Sequence, residues 1–346
     1  MKAAIRTGWT GYNLSFTSKQ PIPNADDLKS NQVLIDVKAA AINPVDYKLP
    51  RGALGPVFGI DFSGTIEAIG TLDSKKQPNI INLEVGDEVF GKCLGSLAEK
   101  CVTDMDELYK KPSFLTFEET AALPVAYLTG IQGLRAGGIE MSLSSESEVN
   151  AGKSVLIIGA SGGCGIAGLQ LLKGFNKKTN GSVSRVVGIC SSKNTNFILE
   201  NGATEAVDYT NKEDLEDFFS KNVGKFDCVY DCSTGSGGKD DSYYEISQSL
   251  LKKGSTDNVS EGLYVAINGK ASTWMKGLVG LLPKNQKLVV TKKSQSDLQL
   301  ICELLEAGDA KPIVQLKSFT KEGVEEGFEL LKSRRTKGKI VFPVAV

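Results

Sequence analysis

Residues 154–172 carry no charged side chain, yet glycines break the run at 159, 162, 163, 165 and 168. A membrane-spanning helix would be more uniformly apolar. Val155, Leu156, Ile157 and Ile158 instead read as a buried strand, followed by a tight turn and a buried helix. The spacing is G-x-x-G-x-x-G, over Gly159, Gly162 and Gly165. Missing side chains let a backbone turn sharply and approach a pyrophosphate, which a helix N-terminus stabilises. A lone glycine motif is weak, and tight packing alone could explain one. Here it follows a strand and opens a helix, which is the context a dinucleotide site requires.

The flanking sequence supplies the rest of that context. Strands are expected at 155–158, 185–189, 206–209, 226–230 and 263–267, and helices at 163–173, 193–200, 212–220 and 243–251, with Gly202 closing the second helix. Such alternation implies a parallel sheet covered on both faces. The first hundred residues read differently. Residues 32–42 alternate, with Val33, Ile35, Val37 and Ala39 expected on one face; 63–70 alternate again, and 88–90 follow a Gly86-Asp87 turn. This predicts a mainly β, partly open barrel. The period changes at Thr116-Phe117-Glu118-Glu119, a capping box opening a helix that ends near Pro124. Further helices are expected at 125–134, 296–307 and 320–333, and a last strand at 339–342. Residues 176–184 and 233–241 read as loop-like insertions.

Composition narrows the chemistry. The 346 residues suit two domains, with 41% hydrophobic and 23% charged residues. Lys plus Arg number 40 and Asp plus Glu 41, so the basic excess of a nucleic-acid binder is missing. There is no histidine. Ser-His-Asp and Cys-His catalysis, histidine metal ligands and a histidine pH switch are therefore excluded. The seven cysteines (93, 101, 164, 190, 228, 232 and 302) contain no C-x-x-C pair, so no metal site is expected. Buried reduced thiols in an intracellular protein fit them best. The N-terminus is too polar for a signal peptide. Cytoplasm, or a plastid or mitochondrion after loss of a transit peptide, are the expected locations.

The end of the second parallel strand discriminates NAD from NADP. An NAD binder places Asp or Glu there, on the ribose 2′-hydroxyl. This chain has Cys190-Ser191-Ser192-Lys193-Asn194, with hydroxyls and a lysine but no acid. Taken alone, Ser191 is a helix cap and Lys193 a surface charge; beside the glycine turn they suit a 2′-phosphate.

Several ordered segments together resemble one family, the medium-chain dehydrogenase/reductases of the zinc-independent quinone oxidoreductase type. They are Ala39-Ala40-Ala41-Ile42-Asn43-Pro44-Val45-Asp46-Tyr47-Lys48, Gly59-Ile60-Asp61-Phe62-Ser63-Gly64, Val85-Gly86-Asp87-Glu88-Val89-Phe90-Gly91, Gly95-Ser96-Leu97-Ala98-Glu99 and Ala121-Ala122-Leu123-Pro124. The glycine turn and Gly202-Ala203-Thr204-Glu205-Ala206-Val207-Asp208-Tyr209 complete the set. Plant plastid alkenal/enone oxidoreductases and the mitochondrial reticulon-4-interacting protein are similar members.

The resemblance implies an α/β fold: a GroES-like β-rich catalytic domain (1–124 and 298–346) with an inserted Rossmann domain, a doubly wound parallel sheet binding NADP(H) (125–297). By position it implies that Ser161, Gly163 and Cys164, with Gly162 and Gly165, contact the pyrophosphate. Ser191, Lys193 and Tyr209 would contact the 2′-phosphate, and Ile267 and Asn268 would line the nicotinamide pocket. Lys48 matches a lysine reaching the nicotinamide end and is the one candidate catalytic residue. Cys164 stands where valine is commoner, and Arg335 where histidine often stands. The implied activity is hydride transfer from NADPH to an enone or a quinone, without a metal, an integral membrane span or nucleic acid; a homodimer is compatible with it. The competing class is a noncatalytic NADP-binding interaction protein of the same fold. On residue chemistry alone, Asn43 and Asp46 also read as an N-cap and a first-turn charge. Tyr47 and Tyr127 read as packed aromatics, with cleft proton donors the alternative.

Overall fold

The computed structural model describes residues 1–8, 13–71, 81–143, 150–235, 243–254 and 261–344. It divides into two compact units, one of Met1–Leu128, Lys293–Cys302 and Lys311–Val346, the other of Thr129–Lys292 and Glu303–Ala310.

The first unit opens with β1 (Ala3–Arg6) and β2 (Leu14–Thr17), an antiparallel pair. Next come β3 (Gln32–Ile42), α1 (Pro44–Lys48), α2 (Arg51–Leu54), β4 (Asp61–Ile69), β5 (Glu88–Lys92), β6 (Lys100–Asp104), β7 (Leu108–Lys110) and α3 (Phe117–Ala121). Thr116 caps α3 through the expected reciprocal box, its Oγ1 accepting from Glu119 N at 3.2 Å while Glu119 Oε2 accepts from Thr116 N at 2.9 Å. The helix α4 (Pro124–Ala136) then carries the chain into the second unit.

That unit alternates strand and helix as expected through β12: β8 (Lys153–Ile158), α5 (Gly163–Lys178), β9 (Val183–Cys190), α6 (Thr195–Glu200), β10 (Glu205–Asp208), α7 (Lys212–Lys221), β11 (Cys228–Asp231), α8 (Tyr243–Gln248) and β12 (Leu263–Ala266); α9 (Ala271–Leu278) and β13 (Gln286–Leu288) continue it beyond the elements expected. The strands are parallel, in the order β10-β9-β8-β11-β12-β13. This is the doubly wound Rossmann arrangement, and its strand order reverses between β8 and β11, where such sheets bind ligands. Leu156, Ile158, Val187, Ile189, Val229 and Tyr264 are buried in its core. The helix α10 (Gln295–Gly308) follows, and β14 (Val314–Leu316), α11 (Lys321–Lys332) and β15 (Lys339–Pro343) return to the first unit. There β15 inserts between β14 and β3, in the sheet β14-β15-β3-β4-β5-β7, with β6 also on β3.

Two expectations are corrected. Ala39 does not share the face of Val33, Ile35 and Val37. The β3–β4 register shifts between Val37 and Ala39. A bulge adds one residue and flips everything beyond it. Ala40 and Ile42 therefore join Val33, Ile35 and Val37 in the core, while Ala39 packs with Ala41 against α3 and Val341. Residues 176–184 are not loop-like throughout. Helix α5 runs to Lys178 and β9 starts at Val183. The Asn176 side chain joins them, accepting from Val183 N at 3.0 Å and donating to Val183 O at 2.9 Å. Of the second loop-like segment, residues 236–241 lie outside the described residues. No described helix is long and apolar enough to cross a membrane.

Candidate functional site

The three motif glycines of the second unit do different work. Gly159 sits at φ 76°, a left-handed turn that an L-residue resists. A Cβ on Gly165 would press on Gly159 O and lie 2.7 Å from Ala160 Cα, so this glycine lets α5 pack onto the turn. Gly162 is different. A Cβ there would meet only Gly159 O, at 3.5 Å, and the residue has an ordinary φ of −80°. Among the described residues nothing requires glycine at 162, whereas a ligand approaching the backbone would. Gly163, Cys164 and Gly165 form the first turn of α5, where a helix leaves its N–H groups without intrahelical partners.

Asn194, which sequence reasoning passed over, joins this turn to the end of β9. It is 6% exposed, and its Nδ2 donates to Ser161 Oγ at 3.1 Å and to Ser191 Oγ at 3.2 Å. Its Oδ1 is a buried acceptor with no partner among the described residues. Ser191 stands at the N-cap of the 3₁₀ turn Ser192–Asn194 but makes no side-chain cap bond; its hydroxyl takes this link instead. Lys193 is exposed on the 3₁₀ turn Ser192–Asn194, and Tyr209 is exposed after β10. Asp208 accepts from the Ser192 N–H of this turn. The hydroxyl and N–H of Thr210, and then the Ser192 N–H, hold its carboxyl below the usual range. It ends β10, not β9, so it does not occupy the ribose-reading position.

At the end of β11, Asp231 fixes the following loop. It accepts from Ser233 N at 2.8 Å and Thr234 N at 2.9 Å, and also from the Thr234 and Tyr264 hydroxyls. Its carbonyl accepts from Ile267 N at 3.3 Å, which sets the part-buried Ile267 and Asn268 just past β12.

In the first unit, Lys48 ends α1. Five buried side chains hold this short helix. Asn43 N donates to Asp46 Oδ2 at 2.8 Å, and Gly59 N to Asp46 Oδ1 at 3.1 Å. Arg6 NH2 lies 3.6 Å from Asp46 Oδ1, its guanidinium 4.0 Å over the Phe58 ring. Asn43 is the N-cap residue of α1, as read from the sequence, and its side chain also joins a buried charge pair. It donates to Asp61 Oδ2 at 2.9 Å and accepts from Lys339 Nζ at 2.6 Å, while Lys339 Nζ also donates to Asp61 Oδ2 at 2.9 Å. Asp61 Oδ1 accepts from Val125 N, in the first turn of α4, at 2.9 Å. Desolvation pushes the Asp46 carboxyl up to about 6, against the opposing pull of the Asn43 N–H and Arg6. Lys48 is lowered by desolvation and by the like charge of Arg334, which also faces Tyr47. The cation beside Lys48 is therefore Arg334, at φ 59°, rather than only the Arg335 singled out from the sequence. Tyr127 is buried at 2% exposure, as its reading as a packed aromatic requires, and desolvation pushes its hydroxyl far up.

Comparison with known proteins follows these features. The family description "Alcohol dehydrogenase GroES-like domain" matches residues 29–133, and "Zinc-binding dehydrogenase" matches 201–342. The 2-methylene-furan-3-one reductase of Solanum lycopersicum is 32% identical, covering 91% of this chain and 72% of its own length. The chain belongs to the medium-chain dehydrogenase/reductases, of quinone oxidoreductase type. It is thus a GroES-like domain joined to a Rossmann domain, in an oxidoreductase family that uses a nicotinamide cofactor. The chloroplastic NADPH-dependent alkenal/one oxidoreductase of Arabidopsis thaliana is 29% identical over 99% of this chain and 80% of its own length. The quinone oxidoreductase of Coxiella burnetii shares the fold, with a TM-score of 0.72 at 23% identity over 100% of this chain and 99% of its own.

Proposed function

We propose that the protein is an NADPH-dependent reductase of electron-poor acceptors, either the C=C bond of an α,β-unsaturated carbonyl or a quinone, and that it works without zinc. The observation carrying this reading is the open backbone at Gly162, on the first turn of α5, tied by Asn194 to a β9 end bearing Ser191 and Lys193 but no acid. The names of the tomato and Arabidopsis relatives support the acceptor class.

Gly162, Gly163, Cys164 and Gly165 would hold the pyrophosphate, and Ser191, Lys193 and Tyr209 the 2′-phosphate. Bound there, the reduced nicotinamide supplies a hydride. The remaining tasks belong to side chains. When an enone accepts hydride at its β-carbon, negative charge develops on the carbonyl oxygen and needs a donor aimed at it. With no histidine in the chain, we assign that task to the Lys48 ammonium. The buried lattice under α1 fixes where it stands. The α-carbon proton can come from water.

Three results test this reading. Charge-assisted hydrogen bonds contribute roughly 1.5–3 kcal/mol each, so NADPH is expected to bind about a hundredfold tighter than NADH. Lys193→Ala should weaken NADPH far more than NADH, measured by titration of nucleotide fluorescence; equal losses would sink the assignment. Lys48→Ala should lower kcat/KM for enones by roughly ten- to a thousandfold with the melting temperature unchanged, since Lys48 is exposed. Lys48→Met should not rescue it, and full activity in either variant would remove Lys48 from the chemistry. Zinc needs preassembled nitrogen or sulfur ligands. The chain has no histidine, and no group of three potential ligands occurs among the described residues. Elemental analysis is expected to find no stoichiometric zinc; chelator-sensitive activity with one zinc per chain would overturn that. Absence of turnover on a broad enone and quinone panel, with NADPH still bound, would favour the noncatalytic interaction protein.

A further inference from the structure

Two cysteines whose thiols the proposed reaction does not use, Cys164 and Cys232, both act on Tyr230 beside the glycine turn of the second unit. Tyr230 sets their positions. It is fully buried and its ring is clamped between two helices: a Cβ on Gly133 of α4 would lie 2.6 Å from Tyr230 Cε2, and one on Gly168 of α5 would lie 3.4 Å from Cε1. Among the described residues its hydroxyl faces the Cys232 thiol. Cys164 precedes Gly168 by four residues in α5, which places it on the same helix face one turn nearer the N-terminus. Cys232 follows Tyr230 by two residues. Its backbone still pairs with β8, Cys232 N donating to Ile158 O at 3.0 Å, so its side chain stays on Tyr230's side of the sheet. Helix period and strand period thus bring both thiols to the Tyr230 hydroxyl. The electrostatics agrees: after desolvation, the largest influence raising the Cys232 thiol is Cys164. The two cysteines differ in character. Cys164 is half-buried in the first turn of a sixteen-residue helix. Cys232 is held protonated.

We propose that Cys164 and Cys232 form a reversible dithiol–disulfide pair that closes the nucleotide site under oxidation by hydrogen peroxide. The peroxide converts the Cys164 thiol to a sulfenic acid, releasing one water. The Cys232 sulfur then attacks the Cys164 sulfur, the S–OH bond breaks, and the hydroxyl leaves as a second water with the Cys232 thiol proton. Two thiols have lost two electrons and two protons, and one peroxide has become two waters. A disulfide is about 2 Å long, much shorter than any contact between two thiols, so its closure draws Cys232 toward the start of α5. The loop that moves already borders the turn, since a Cβ on Gly159 would lie 3.1 Å from Ser233 Cβ. The same first turn, with Gly162 before it, is where the pyrophosphate is proposed to sit. The inference therefore rests on the nucleotide reading of that turn.

The test uses the full chain, reduced and then treated with hydrogen peroxide, with and without NADPH. Intact mass and peptide mapping after thiol alkylation report the bond, and fluorescence titration reports NADPH affinity. The expected result is a loss of two hydrogen masses, a linked peptide pair containing Cys164 and Cys232, and NADPH affinity at least tenfold weaker, restored by dithiothreitol. Saturating NADPH should slow the linkage. Cys232→Ala should keep its affinity through the peroxide treatment, and Cys164→Val should yield no linked peptide. Peroxide treatment that links neither cysteine to the other overturns the pair. A linked protein that binds NADPH like the reduced one overturns the gate alone. Reduced protein that binds no NADPH overturns the nucleotide reading, and the gate with it, while the linked peptide remains readable on its own.

Discussion

Asp61→Ala is expected to destabilise the first unit by about 3–5 kcal/mol, the range for stripping one partner from a buried ion pair. Asp61 is fully buried, and its two oxygens serve three donors: Asn43 Nδ2, Lys339 Nζ and Val125 N, each at 2.9 Å. Without it, the Lys339 ammonium loses its ion pair and, among the described residues, keeps hydrogen bonds to Ile42 O at 3.1 Å and Asn43 Oδ1 at 2.6 Å. The Val125 N–H also loses its acceptor at the start of α4. Urea unfolding followed by the fluorescence of the chain's aromatic residues would read the loss. Asp61→Asn, which keeps two acceptor contacts but not the charge, should fall between the variant and the parent. A loss below about 1 kcal/mol for Asp61→Ala would show that water or a side-chain rearrangement replaces the carboxylate. Because the same lattice holds α1, the surviving folded protein should also lose enone turnover through misplacement of Lys48.

Gly162→Ala and Gly165→Ala should fail in opposite ways although the positions are three residues apart. At 165 the added methyl meets backbone, Gly159 O and Ala160 Cα, which cannot swing aside. The expected cost is about 1–3 kcal/mol of stability, with α5 displaced and nucleotide binding lost as a consequence. At 162 the methyl has room and φ is −80°. Stability should stay within about 0.5 kcal/mol of the parent, as for a change away from any packed feature. NADPH affinity should nevertheless fall roughly ten- to a hundredfold, the loss of about one charge-assisted hydrogen bond from a phosphate held off the helix. Calorimetric titration beside a thermal melt separates the two cases. Parental NADPH affinity in Gly162→Ala would mean that the turn is shaped for packing alone.

The glycine turn was readable because everything that defines it is local: a strand, a reversal and a helix within residues 153–178. The start of α1 was readable for the same reason, from Asn43, Pro44 and Asp46 in sequence. Its supports were not. Lys339 reaches Asn43 across 296 residues, and Arg6 reaches Asp46 across 40, so no pattern in the sequence ties these charges together. Asp61 stood in a recognised segment without a stated task. Asn194 was missed because an asparagine after a strand reads as turn chemistry, whereas here it braces two loops. The bulge in β3 defeated a period-2 reading, since one extra residue inverts the faces beyond it. The strands β7, β13 and β14 have three residues each, too few for any period to show.

The placement of β15 governs how the protein can be made. Lys339, at its start, bonds to Ile42 across 297 residues, and Ile340 pairs with Ile42 across the sheet. A ribosome adding about 5–20 residues per second needs roughly 15–60 s to cover that span. Throughout that interval residues 39–42 of β3 have no partner on that side, while most of the parallel sheet of the second unit has already emerged. The first unit to be synthesised is therefore the last to close. Its waiting strand, rich in alanine and flanked by isoleucine, is an open template for mispairing in a crowded cell. Slowed or truncated synthesis before residue 339 is therefore expected to favour aggregation through β3.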